Sequence, residues 1–223
     1  SRYFLRMLGQ VVLRAVKRHD WRFVSCILLA YAILGLADPV YAAEEPEVAI
    51  EVLLDSGQAS EAVTAAEGLL AKRKETLGEQ HAETLAAVNL LGVARLAHGD
   101  YAKAQPLLEM TLQARRNVLG VAHPAVAESL NNLGAAWYCL GDYQKAMTCL
   151  QEALKGRRAA LGPSDPATLQ SQANLGLAQE AQGMKDAAVE SLTAAYTSLR
   201  DRLLAGQMDV PGATSVDLGR LLA

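Results

Sequence analysis

Few side chains in this 223-residue sequence have the types and spacing to do chemistry, and those that do recur at a fixed interval. His81 and His123 stand 42 residues apart, and Asp165 follows after the same interval. Imidazole and carboxylate together could serve acid–base work or a metal. Here each stands just before an apolar periodic stretch, and His123 and Asp165 are followed directly by Pro. Asp favours the residue that caps a helix start and Pro favours the first helical position, so the spacing predicts a repeated cap. Asn89, Asn131, Asn132 and Asn174 fall inside helical stretches, where an amide is a mediocre helix former. An amide donates and accepts at once, which suits a peptide backbone; its other use is a hydrogen bond between neighbouring helices. Arg115-Arg116 and Arg157-Arg158 recur near the ends of two stretches. Cations there complement the negative helix terminus by about 0.3–1 kcal/mol each, in which case Arg157→Ala should cost little. The alternative is a basic rim for an acidic partner segment.

The three cysteines, Cys26, Cys139 and Cys149, are odd in number and lack metal-type spacing, so buried free thiols are expected. No nucleophile–base pairing, glycine-rich phosphate loop or HExxH motif stands out. The sequence therefore predicts a protein that is not an enzyme and needs no cofactor or metal.

The elements that position these residues are copies of one unit. Leu77-Gly78, Leu119-Gly120 and Leu161-Gly162 are 42 residues apart, as are Leu91-Gly92, Leu133-Gly134 and Leu175-Gly176. Segments 79–120 and 121–162 share 16 of 42 positions, and 121–162 and 163–204 share 13, which marks a repeat protein. In the best-defined copy a first helix is predicted over about 124–140, with Leu130, Leu133, Ala136, Trp137 and Leu140 as its apolar stripe. A second is predicted over about 143–158, with Ala146, Met147, Leu150, Ala153 and Leu154 facing back. Gly134 and Ala146 are small where the helices touch, and Gly141 closes the first helix in the left-handed region. Gly134→Leu should therefore destabilise by wedging the pair. One pair cannot bury its own apolar face, so the pairs must stack.

Asn131-Asn132-Leu133-Gly134, Trp137, Gly141-Asp142-Tyr143, Ala146, Leu150 and Ala153-Leu154 resemble a tetratricopeptide repeat. The 42-residue period, His123-Pro124 and Leu161-Gly162 resemble the kinesin light chain type. The resemblance implies an all-α, right-handed α-solenoid of about four antiparallel helix pairs. These are 44–78 as a degenerate cap, then 79–120, 121–162 and 163–204, followed by a tail or partial capping helix at 205–223. It also implies that a peptide or protein segment lies in the concave groove, gripped by Asn89 and Asn131 on one column and Asn132 and Asn174 on the next, with Trp137 on or beside that face. A clamp for a free C-terminal carboxylate is not expected, because Ala135 stands one turn after Asn131 and the first helices carry no Lys.

Residues 1–43 differ from all that follows. Phe4, Leu8, Val11, Val12 and Ala15 form an apolar helical stripe among Arg6, Arg14, Lys17 and Arg18; then come 15 uncharged residues, Phe23 to Ala37, and a small-residue site at Val40-Tyr41-Ala42-Ala43. This order fits a signal or lumenal-targeting segment. A membrane anchor is the second reading, although the apolar run spans only about 22 Å as a helix; a helix packed on a cytoplasmic solenoid is the third. Of the net charge of −3, residues 1–22 contribute +5 and the remainder −8. An acidic solenoid argues against a nucleic-acid partner. The expected function is a protein-interaction scaffold. The alternative is a structural subunit of a membrane-associated assembly, anchored by its N-terminal segment.

Overall fold

The computed structural model describes residues 46–205, which lie within one compact unit that starts at Pro46. The N-terminal segment 1–43 with Cys26, and the tail beyond Ala205, lie outside the described residues. Among the described residues eight helices follow one another: α1 (Pro46–Asp55), α2 (Ala59–Leu77), α3 (Ala82–His98), α4 (Tyr101–Leu119), α5 (Pro124–Cys139), α6 (Tyr143–Leu161), α7 (Pro166–Ala181) and α8 (Lys185–Leu204). Among the described residues there is no strand, and no helix is long and apolar enough to cross a membrane. The helices pack as consecutive pairs, α1–α2 to α7–α8, and each pair packs on the next. This is the α-solenoid that the resemblance implies. The degenerate first pair has a short α1 whose only buried residue is Ile50.

Each boundary has a local cause. Gly57, Gly99, Gly141 and Gly183 turn the chain between the helices of a pair at φ of 77°, 90°, 82° and 85°, a region that costs a Cβ-bearing residue strain. The Leu-Gly pairs that end the second helices need glycine for a stricter reason. Gly78, Gly120 and Gly162 combine φ of 84°, 80° and 92° with ψ of 165°, 159° and 165°, a conformation essentially confined to glycine. His81, His123 and Asp165 cap the first helices as the sequence predicts. His81 Nδ1 accepts from the Glu83 amide at 3.2 Å, His123 Nδ1 from Ala125 at 3.2 Å, and Asp165 Oδ1 from Ala167 at 2.9 Å.

Packing within a pair rests on the glycine of each Leu-Gly motif in the first helix. A Cβ built on Gly134 would stand 2.7 Å from Leu150 Cγ; on Gly92 it would meet Leu108 Cδ2 at 2.8 Å, and on Gly176, Leu192 Cγ at 2.7 Å. A leucine sixteen residues downstream thus fills the space each glycine leaves. Three apolar clusters run along the stack. One joins α2 and α3 with Ile50, a central one joins Leu108 and Leu112 of α4 to Val126, Leu130 and Leu133 of α5, and a third joins Met147, Leu150 and Leu154 of α6 to Leu175 and Ala178 of α7. Leu140, at the tip of its predicted stripe, is exposed.

Candidate functional site

The stack sets the first helices α3, α5 and α7 side by side, and the four asparagines meet along that layer. Asn131 on α5 is the hub. Its Oδ1 accepts from Ser171 Oγ at 3.0 Å and from Asn174 Nδ2 at 3.1 Å, both on α7. Its Nδ2 lies 3.5 Å from Asn132 Oδ1. Asn89 on α3 donates to Glu128 Oε1 of α5 at 3.5 Å, the long limit for such a bond. The sequence register places Asn132 in column with Asn174, but the link runs from Asn131 to Asn174, across the columns. Asn131, Asn132 and Asn174 are 0% exposed and Asn89 is 2% exposed. The side-chain oxygen of Asn89 is buried without a hydrogen-bond partner. Asn131, Asn132 and Asn174 thus meet partners within the protein, while Asn89 keeps an unsatisfied oxygen.

Trp137 is not brought to the asparagines. At about 100° per residue it lies about 120° around α5 from Asn131. It is partly buried against both the central and the third apolar cluster, with Lys145 Nζ 4.2 Å from its ring centroid. That cation–π contact closes the α5–α6 hairpin.

Arg116 and Arg158 stand in the last turns of α4 and α6, as the helix-end reading expects, but Arg115 and Arg157 correct it. Arg73, Arg115 and Arg157 share one register, and each reaches the carbonyl ten residues on, in the first turn of the next pair. Nη1 donates to Glu83 O at 2.8 Å, Ala125 O at 2.9 Å and Ala167 O at 2.7 Å respectively. Arg115 also donates to Ser129 Oγ at 2.9 Å, and Arg157 to Ser171 Oγ at 2.8 Å. Arg73 is paired with Glu47 and Arg115 lies 3.6 Å from Glu128. Arg157 is 3% exposed, and burial pushes its guanidinium down to about 10, still protonated at neutral pH. These side chains are latches between repeats, not exposed cations. Ser171 passes the third latch directly to the asparagines, because it accepts from Arg157 and donates to Asn131. A signal for this was present in the sequence as Arg157 and Ser171, which repeat the spacing of Arg115 and Ser129. The neighbouring Arg116 pairs with Glu152 at 2.7 Å across the second helices.

One carboxyl and two thiols complete the electrostatics. Burial, then the carboxylates of Asp55, Glu128 and Glu47, hold the Glu51 carboxyl above its ordinary range. Cys139 and Cys149 are free and partly buried, and burial pushes each thiol up to about 11, which leaves little nucleophilic thiolate. Among the described residues, no three His, Cys, Asp or Glu side chains lie close enough to hold a metal.

Comparison with known proteins agrees with this geometry. No curated protein sequence matches the chain. Among solved structures, a Podosopora anserina protein of nearly identical kinesin light chain TPR-like repeats is 24% identical. It covers 77% of this chain and 92% of its own, with a TM-score of 0.61. BtubC (BKLC) from P. vanneervenii is 20% identical and covers 93% of this chain and 83% of its own, with a TM-score of 0.63. The MamA RS-1 ArsTM double mutant is 21% identical over 88% of this chain and 95% of its own, at a TM-score of 0.51. At these identities the likeness establishes the fold. The sequence itself matches the tetratricopeptide repeat over residues 47–117, 99–159 and 125–201. On that match, the chain belongs to the tetratricopeptide repeat family, whose repeats serve as protein-interaction scaffolds.

Proposed function

We propose that this scaffold holds an extended segment of a protein partner along the first-helix layer, with Asn131 and Asn132 at the centre and Asn89 and Asn174 flanking them. The observation that supports the reading is the placing of the amides on three neighbouring first helices, where Asn89 bonds to Glu128 of the next repeat and Asn174 bonds to Asn131. An extended peptide offers donors and acceptors on alternating sides, and a row of amides can answer both. Because Asn131 and Asn174 are bonded to each other, binding exchanges an amide–amide bond for an amide–peptide bond. Such an exchange is close to neutral in hydrogen bonding, so apolar contacts between helices set specificity. Trp137 contributes by fixing the hairpin beneath.

The test begins with the full chain carrying a photocrosslinking residue at Ala173, which is partly exposed beside Asn174, to capture a partner, followed by titration of that partner. Asn131→Ala with Asn132→Ala should weaken binding at least tenfold, about 1.4 kcal/mol, with the fold retained. Arg116→Ala should alter only the salt dependence. Normal binding by the asparagine pair, or loss only through unfolding, refutes the reading and leaves the amides as bridges between helices. For residues 1–43 we infer targeting to an organelle lumen or secretory compartment, on their order of basic stretch, apolar run and small-residue site. N-terminal sequencing of the native protein should find a start near Ala43 or Glu44. An intact basic start in a carbonate-resistant membrane fraction would replace this with the anchored assembly subunit.

A further inference from the structure

The two ends of the described stack expose the residues that its interior buries. On α8, Val189, Tyr196 and Leu199 are 64%, 65% and 55% exposed. One repeat earlier, the same register holds Met147, Leu154 and Arg157, which are 6%, 7% and 3% exposed. Met147 and Leu154 are covered because they pack with Leu175 and Ala178 of α7, the first helix of the next pair. Leu112, one repeat earlier again, is 3% exposed and packs in the same way with Val126, Leu130 and Leu133 of α5. The face of α8 is therefore the outgoing half of an inter-repeat joint.

The incoming half is exposed at the other end. Val48 and Val52 of α1 are 47% and 60% exposed. Val52 shares its register with Ala94, Ala136 and Ala178, all 0% exposed, and Val48 shares its register with Leu90, at 3%. Ala94 packs in the cluster of Ala62, Ala66 and Leu69 from the preceding second helix, and Ala178 in that of Met147, Leu150 and Leu154.

We propose that two copies of this chain join head to tail, the exposed face of α8 in one seating α1 of the next, in continuation of the repeat stack. A second copy is the occupant these observations fit, because every molecule carries both halves of a joint whose geometry is already built three times within the chain. The contact is heterologous, so it leaves a free end after each addition and extends as an open row. It is also weaker than an internal joint. Leu199 stands where Arg73, Arg115 and Arg157 stand in the earlier repeats, so no latch crosses it and assembly is reversible.

Sedimentation velocity of the full chain at rising concentration tests this. The wild type should form species that grow with concentration. Val52→Lys and Tyr196→Lys should each remain monomeric, with circular dichroism and melting curves close to wild type because both sites are exposed. An equimolar mixture of the two variants should form dimers and nothing larger, since only the α8 face of the first and the α1 face of the second are intact. Should either lysine variant unfold, Val52→Ser and Tyr196→Ser replace them with the same expectations. A wild type that stays monomeric throughout overturns the proposal. So does a Val52→Lys protein that still dimerises, which would mean that α8 pairs with its own copy.

Discussion

Arg157→Ala separates the latch from the helix-end cation that the sequence suggests. In the structure the guanidinium donates to Ala167 O at 2.7 Å and Ser171 Oγ at 2.8 Å, with Gln170 Oε1 at 3.4 Å. The two short bonds to a charged donor are each worth about 1.5–3 kcal/mol. Against them stands the cost of burying the charge, visible in the guanidinium's fall to about 10. Truncation removes both, and leaves Ser171 without its donor and a gap between α6 and α7. The net loss should be about 2–3 kcal/mol, well above the cost of an ordinary surface change. Urea unfolding followed by far-UV circular dichroism measures it. With a slope of about 2 kcal/mol per molar urea, the midpoint should fall by about 1–1.5 M. Lys155→Ala, on the exposed side of the same helix, is the control and should shift stability by less than about 0.5 kcal/mol. Arg157→Met keeps most of the volume while removing charge and bonds, so it should fall between the two. Hydrogen exchange in Arg157→Ala should rise in α7 and α8 while α3 stays protected, because the lost bonds join the third pair to the fourth. A midpoint for Arg157→Ala equal to that of Lys155→Ala would refute the latch.

Gly134→Ala should destabilise by about 1–3 kcal/mol through overpacking, because the new Cβ falls 2.7 Å from Leu150 Cγ; adding Leu150→Val should recover part of the loss in a urea double-mutant cycle. Glu51→Gln should raise the melting temperature at pH 7. Glu51 has a raised folded pKa, so its contribution is fully present below the unfolded value of about 4.3 and is lost as pH rises through the folded value. The difference between variant and wild type should therefore vanish in melts below that pH. In a Cys26→Ser background, Cys139 and Cys149 should resist a thiol reagent at pH 8 and react at once in urea, since burial holds both thiols at about 11; rapid labelling of the folded protein would contradict the packing around them.

Much of this fold was legible in the chain because a repeat reports its own register. The 42-residue spacing of Leu-Gly and Gly-Asp-Tyr fixes which residues are equivalent, and equivalent glycines at turns and helix contacts need no knowledge of the rest of the molecule. The caps at His81, His123 and Asp165 are likewise local, each decided by a side chain and an amide two residues on. The resemblance then supplied the solenoid. What the sequence could not decide was which way a polar side chain on a helix faces and what it meets in the neighbouring pair. Asn131 and Asn174 lie 43 residues apart and Arg157 and Ala167 ten apart, but their meeting depends on how one pair is offset and rotated on the next. That geometry follows from the summed packing of Leu150, Leu154, Leu175 and their neighbours, which no single position encodes. Hence the sequence left the asparagines as either a peptide grip or bonds between helices, and the arginines as either helix-end cations or a basic rim. The tertiary stack buried the asparagines and made the arginines the polar links between its repeats.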